Sequence, residues 1–217
     1  MNVHVQLVGD FPITGSGSNP IWNKTDWESI NKIGNGRFNY STRFKLLWSE
    51  FGLYILFECE DECLTCTKTQ DFDELYLEDV IEVFLWPHEH HDVYFEYELS
   101  PLGFELPLLV PNSNGVFHGW LPFRYDTDRK IIAQTVVYGG EKKPMAVVKS
   151  WRAEFFIPFK LFLGMNNSPP NPGTEWRANF CRLDYGNNQK TQWSWITQDM
   201  EDNFHNHKNF GTLKFIA

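Results

Sequence analysis

The chain is a succession of short apolar runs rich in aromatic and β-branched residues, each closed by polar, Gly- or Pro-containing segments. That pattern predicts strands rather than helices. Residues 43–48 (RFKLLW) and 53–59 (LYILFEC), separated by a turn over 49–52, predict one hairpin. Residues 79–86 (DVIEVFLW) and 93–99 (VYFEYEL) predict a second, joined by the polar loop PHEHHD. Further strands are expected over 130–138, 147–157, 175–183 and 212–216, with a short helical turn over 158–163. Breaks rich in Pro, Gly and Asn fall at 139–144 and 166–173, yet no linker and no repeat divides the chain. Many strands at short intervals argue for an all-β fold, a β-sandwich of two antiparallel sheets forming a single domain over 1–217.

Side chains alternate between the two faces of a strand. In the second hairpin Asp79, Ile81, Val83 and Leu85 share a largely apolar face, Val93, Phe95, Tyr97 and Leu99 share another, and these faces point to the core. The opposite face carries Glu82, Phe84 and Trp86 on one strand and Tyr94, Glu96 and Glu98 on the other. Rings interleaved with carboxylates suit a sugar, whose C–H faces pack on rings and whose hydroxyls donate to acids. The alternative is a face covered by the segments before residue 43, with the acids solvated at its rim. A second aromatic in a polar setting is Phe204, within QDMEDNFHNHKNFGTL (198–213), either a plug folded under its loop or a ring held outward.

Composition narrows the function classes. The formal net charge of -9 argues against nucleic acid, which needs clustered Lys and Arg. No apolar stretch approaches the roughly 20 residues that span a bilayer, so no membrane partner is expected. The first residues show no basic and apolar leader, which points to the cytoplasm, or to the periplasm or exterior if a signal has been removed. Aromatics make up 17% of the chain, with nine Trp and nineteen Phe, which fits pleated, half-buried surfaces. Cys63 and Cys66 form a lone C-x-x-C without a matching second pair, so Cys59, Cys63, Cys66 and Cys181 read as reduced thiols rather than a zinc site. The sequons at Asn23, Asn39 and Asn166 are expected by chance in a polar chain.

The order of motifs resembles the family 9 carbohydrate-binding modules and their stand-alone relatives. The resemblance is carried by PIWNKTDW, RFKLLWSEFGLYILFECED, LYLEDVIEVFLWP, DVYFEYELSPLG, SWRAEFFIPFKLF, GTEWRANFCRLD and FHNHKNFGTLKF, in that order. It implies a sandwich of two antiparallel sheets, of immunoglobulin-like carbohydrate-binding architecture, holding a mono- or oligosaccharide from plant polysaccharide between two aromatic rings without transforming it. Matched position by position, it places Tyr76 and Phe204 as the two rings and Glu82 as an acid of the site, with Glu96 and Asn203 taking further hydroxyls. Two departures accompany it. Glu96 stands where a sugar-binding member has arginine, and both clamp tryptophans are replaced by smaller rings.

Other chemistries remain open. Glu82, Glu96 and Glu98 could form the acid and base of a glycoside hydrolase, and the domain could equally be a structural or interaction module that has lost its sugar. His88, His90 and His91 in one loop and His205 and His207 in another offer imidazoles for a metal. No cofactor is required, but a structural calcium on loop carboxylates is a further expectation, with Asp10, Asp61 and Asp199 as candidates.

Overall fold

The computed structural model describes residues 1–113, 116–186, 189–200 and 203–217. It is an all-β sandwich whose only helices, among the described residues, are single 3-10 turns. The first sheet runs β10 (Ile132–Tyr138), β11 (Ser150–Pro158), β4 (Gly52–Glu60) and β3 (Thr42–Trp48). The second runs β14 (Gly211–Ile216), β12 (Glu175–Asp184), β5 (Val80–Trp86), β6 (Val93–Leu99) and β7 (Glu105–Ser113). Short strands β8 (Val116–Phe117) and β9 (Leu121–Pro122) pair with β7.

Two bridges carry hydrogen bonding from one sheet to the other. β2 (Glu28–Ile33) and β13 (Thr191–Ser194) join β3 to β12. β1 (Asn2–Leu7) pairs with both β14 and β3, and both pairings are parallel. Among the described residues the expected antiparallel pairing therefore holds except at β1, the strand inserted between the sheets.

Both predicted hairpins form. β3 pairs with β4 across the turn at Ser49, and β5 pairs with β6 so that Ile81 faces Leu99 and Leu85 faces Phe95. Inward rings lock the layers together. Phe44 of β3 stacks on Phe180 of β12 at 4.0 Å between centroids. Tyr97 of β6 meets Phe155 of β11 at 5.3 Å, and Trp48 of β3 meets Phe215 of β14 edge-on at 5.3 Å. Such pairs add roughly 0.5–1.5 kcal/mol each beyond their burial.

Both outer faces are covered, by different parts of the chain. The segment before β2 lies on the first sheet, where Trp22 packs with Leu47, Tyr54 and Leu56. There the fully buried Glu154 accepts from the Trp22 indole at 2.9 Å and from the Thr14 amide and hydroxyl. The second sheet is covered by the C-terminal loop between β13 and β14. Phe210 packs on Phe84 and Tyr94, and the buried Asn179 side chain accepts from the Ile196 amide. This corrects the expected alternative for the acidic face: residues before 43 cover the other sheet, and the acids are buried rather than solvated.

A carboxylate-floored pocket on the second sheet

The register of β5 and β6 sets Glu82 directly opposite Glu98, and Phe84 opposite Glu96. Directly opposed like charges destabilise a sheet, so the pairing is unusual unless the acids are neutral or hold something. One carboxylate oxygen from each of Glu82, Glu96 and Glu98 lies within 4.8 Å of the others. All three residues are at most 4% exposed. Glu96 Oε2 and Glu98 Oε2 have no hydrogen-bond partner.

Burial pushes the Glu82 carboxyl up to about 8, with Lys190 pulling the other way. Glu96 is raised well above the usual range by burial and then by Glu82. Glu98 is raised likewise by burial, Glu82 and Glu96, against a hydrogen bond from the Tyr76 amide. His205, hydrogen-bonded through Nδ1 to the Tyr94 hydroxyl at 2.8 Å, lies 3.9 Å from Glu96. Burial, followed by His207, lowers its pKa to about 4, so it stands neutral beside the acids at pH 7.

These groups floor a cavity of about 410 Å³. Its walls are built from several elements. Tyr76 sits on a 3-10 turn, Leu75–Leu77, anchored by the buried Leu75 and by the Tyr185 hydroxyl, which donates to the Tyr76 carbonyl at 2.8 Å. The Tyr76 hydroxyl donates in turn to Glu74 at 2.8 Å. Trp120 meets the Tyr76 ring edge-on at 6.0 Å and remains 36% exposed. Phe117 of β8 stacks on His205 at 4.2 Å and is 43% exposed. The C-terminal loop contributes Asn203, Phe204 and His205.

All five residues expected at the site, Tyr76, Glu82, Glu96, Asn203 and Phe204, line this one cavity. Phe204 differs from the expectation of a half-exposed ring. It is only 7% exposed and belongs to the main hydrophobic cluster, together with Met200 and Phe210. The loop closes down on the sheet, so the ring serves as plug and wall at once. The exposed ring next to Tyr76 is Trp120. Phe117, Trp120, Tyr185, Lys190 and Gln192 were not expected at the site. For Trp120 the signal was present: an aromatic among small and polar residues in NSNGVFHGW, the same cue that marked Phe204.

A second acidic cluster lies at one end of the sandwich, where Asp61, Asp79 and Asp184 also offer oxygens within 4.8 Å of one another. Here the fully buried Arg182 intervenes. Its guanidinium donates to Asp184 at 2.6 Å, Asp61 at 3.2 Å and the Thr42 hydroxyl at 3.1 Å. Burial still raises Asp61 to about 6, with Arg182 opposing and Asp184 adding to it. Of the calcium candidates only Asp61 falls in this group, while Asp10 accepts from the Tyr54 hydroxyl. The two clusters that could hold an ion, among the described residues, contain carboxylates alone and neither histidine nor cysteine. The four cysteines are free thiols.

Residues 13–106 match the family model described as carbohydrate family 9 binding domain-like. Solved structures agree with it over the whole chain. A candidate carbohydrate-binding protein from Bacteroides uniformis ATCC 8492 superposes with a TM-score of 0.80 at 16% identity, covering 99% of this chain and 98% of its own. A family 9 carbohydrate-binding module from Caldicellulosiruptor kristjanssonii is similar in its complex with cellotriose (TM-score 0.68, 19% identity, 100% of this chain and 94% of its own). The same holds for that organism's module with glucose (TM-score 0.69, 19% identity, 100% and 96%). A comparison with curated protein sequences finds no match. The likeness to family 9 modules is thus a finding, in sequence over residues 13–106 and in fold over the whole chain.

Proposed function

We propose that this family 9-like chain binds a mono- or oligosaccharide at the carboxylate-floored pocket without transforming it. One observation carries the reading: aromatic rings and buried acids expected to touch sugar converge on a single cavity of about 410 Å³, within the size range of small-molecule sites. Tyr76 and the exposed Trp120 offer ring faces at the mouth, while Glu82, Glu96 and Asn203 offer polar atoms deeper in. Solved modules of the same fold are complexes with glucose and cellotriose. In place of the expected Tyr76 and Phe204 pair, Tyr76 and Trp120 meet edge-on at the mouth and Phe204 is a buried side wall.

The burial of the acids favours binding over hydrolysis. Glycosidases set two carboxyl groups across an open cleft that reaches the glycosidic bond. Here all three acids lie together on one buried floor, each at most 4% exposed. Incubation with aryl-glycosides and oligosaccharides is expected to release no product above a Glu82→Gln control. Turnover that disappears in that variant would replace the binding reading with catalysis.

The expected structural calcium is read differently. Asp61 and Asp184 already take charge-assisted bonds from Arg182, so the guanidinium fills the neutralising role an ion would have there. The family's implied ion does not fit this cluster well.

A further inference from the structure

The floor of the pocket gathers more carboxyl groups than cations. Glu82, Glu96 and Glu98 present three carboxyl groups, and the only Lys or Arg lining the cavity among the described residues is Lys190. Lys190 acts on Glu82. Among the described residues no cation is among the causes acting on Glu96 or Glu98, and His205 beside Glu96 is neutral at pH 7. Independently of the charge count, Glu96 Oε2 and Glu98 Oε2 are buried and make no hydrogen bond, in side chains that line the cavity. Buried polar atoms of this kind are rare unless a ligand completes them.

Two kinds of cation could do so. Calcium takes six to eight oxygens; beyond the three acids the described lining adds Asn203 and Gln192 among rings and leucines, together with the Lys190 ammonium, which repels a divalent ion. A primary ammonium has three N–H donors and asks for three acceptors. Acceptors at about 2.8 Å from a tetrahedral nitrogen lie about 4.6 Å apart, a spacing that three oxygens no more than 4.8 Å from one another allow. Above that floor, the Tyr76 and Trp120 rings suit the apolar faces of a pyranose, and aromatic faces also attract cations.

We infer that the preferred ligand is an amino sugar, its ring against Tyr76 and Trp120 and its ammonium seated on Glu82, Glu96 and Glu98. This rests on the saccharide-binding reading above and specifies the substrate class. Burial of the acids adds a consequence: they give up protons as the ammonium enters, so binding is accompanied by proton release.

The test is calorimetric titration of the full chain with D-glucosamine, D-glucose and N-acetyl-D-glucosamine at pH 6.5, each with EDTA and with calcium chloride. Glucosamine is expected to bind at least tenfold more tightly than glucose, with N-acetylglucosamine no tighter than glucose, in EDTA and calcium alike. Glu98→Gln and Glu96→Gln, close in shape to the native residues, are expected to shrink the glucosamine-to-glucose ratio, with circular dichroism confirming their fold. Equal affinity for glucosamine and glucose overturns the inference and leaves the saccharide-binding reading standing. Affinity that requires calcium overturns it in favour of a metal-bridged site. Failure of all three sugars with folded protein overturns both.

Discussion

Phe204 separates the structural from the binding part of the pocket, and truncating it gives the sharpest stability prediction. The ring is 7% exposed and sits in the main core, in the same cluster as Met200, Phe84 and Phe210. Phe204→Ala removes a buried ring and leaves a cavity beneath the loop that walls one side of the acidic pocket. Changes of this type cost about 3–5 kcal/mol. For a chain of this length each kcal/mol moves the melting temperature by about 2–4 °C, so a fall of about 6–20 °C is expected. Thermal unfolding followed by circular dichroism measures it directly. Melting within about 2 °C of wild type would mean that the ring is not packed as described, and the outward clamp would return.

Other predictions follow from neighbouring groups. Trp120→Ala, at a ring 36% exposed, is expected to melt near wild type while saccharide affinity falls about tenfold, the loss of one stacking contact of roughly 1–2 kcal/mol. Equal affinity in the variant would remove Trp120 from the site. The Glu82 carboxyl is held at about 8 in the fold against an ordinary 4.5. The folded state therefore keeps a proton that the unfolded chain has lost between those values, and stability falls as pH rises through that window, by about 1.4 kcal/mol per pH unit for one such proton. Melting curves from pH 5 to 8 should show the decline, Glu82→Gln should lessen it, and stability rising over that range would contradict the buried triad. Arg182→Met strands Asp61 and Asp184 in the interior and is expected to cost about 3–5 kcal/mol at pH 7. The cost should be smaller at pH 5, where Asp61, raised to about 6, takes up a proton. EDTA is expected to leave wild-type melting unchanged, and a clear drop would restore calcium to that cluster.

The strands that could be read from the chain were those with dense apolar character. Residues 93–99 were placed to the residue, and β3, β4, β5, β12 and β14 to within one residue at each end. The alternation within β5 and β6 also placed Glu82, Glu96 and Glu98 on one face, because the period of two leaves no freedom once the strands pair. Missed strands had identifiable causes. β7 carries Pro107 and Pro111, which ordinarily argue against a strand interior. β1 alternates polar and apolar positions over only six residues, β2 is polar at four of its six, and both bridge the two sheets. What covers each face was not legible, since it depends on where loops distant in sequence return. Phe204 and Trp120 carry the same local signal, a ring among polar residues, yet one is buried and the other exposed. Only the C-terminal loop closing on β5 and β6 distinguishes them.

The central claim, that this pocket binds saccharide, is tested most directly by titration calorimetry of glucose and cellotriose into the wild type and into Tyr76→Ala and Trp120→Ala. A cavity with ring walls and a wet mouth predicts dissociation constants on the order of micromolar to millimolar for the wild type. Both variants should fold normally and bind about tenfold more weakly or not at all. Saccharide binding that survives both substitutions at full strength would place the site elsewhere on the sandwich and contradict the assignment of this pocket.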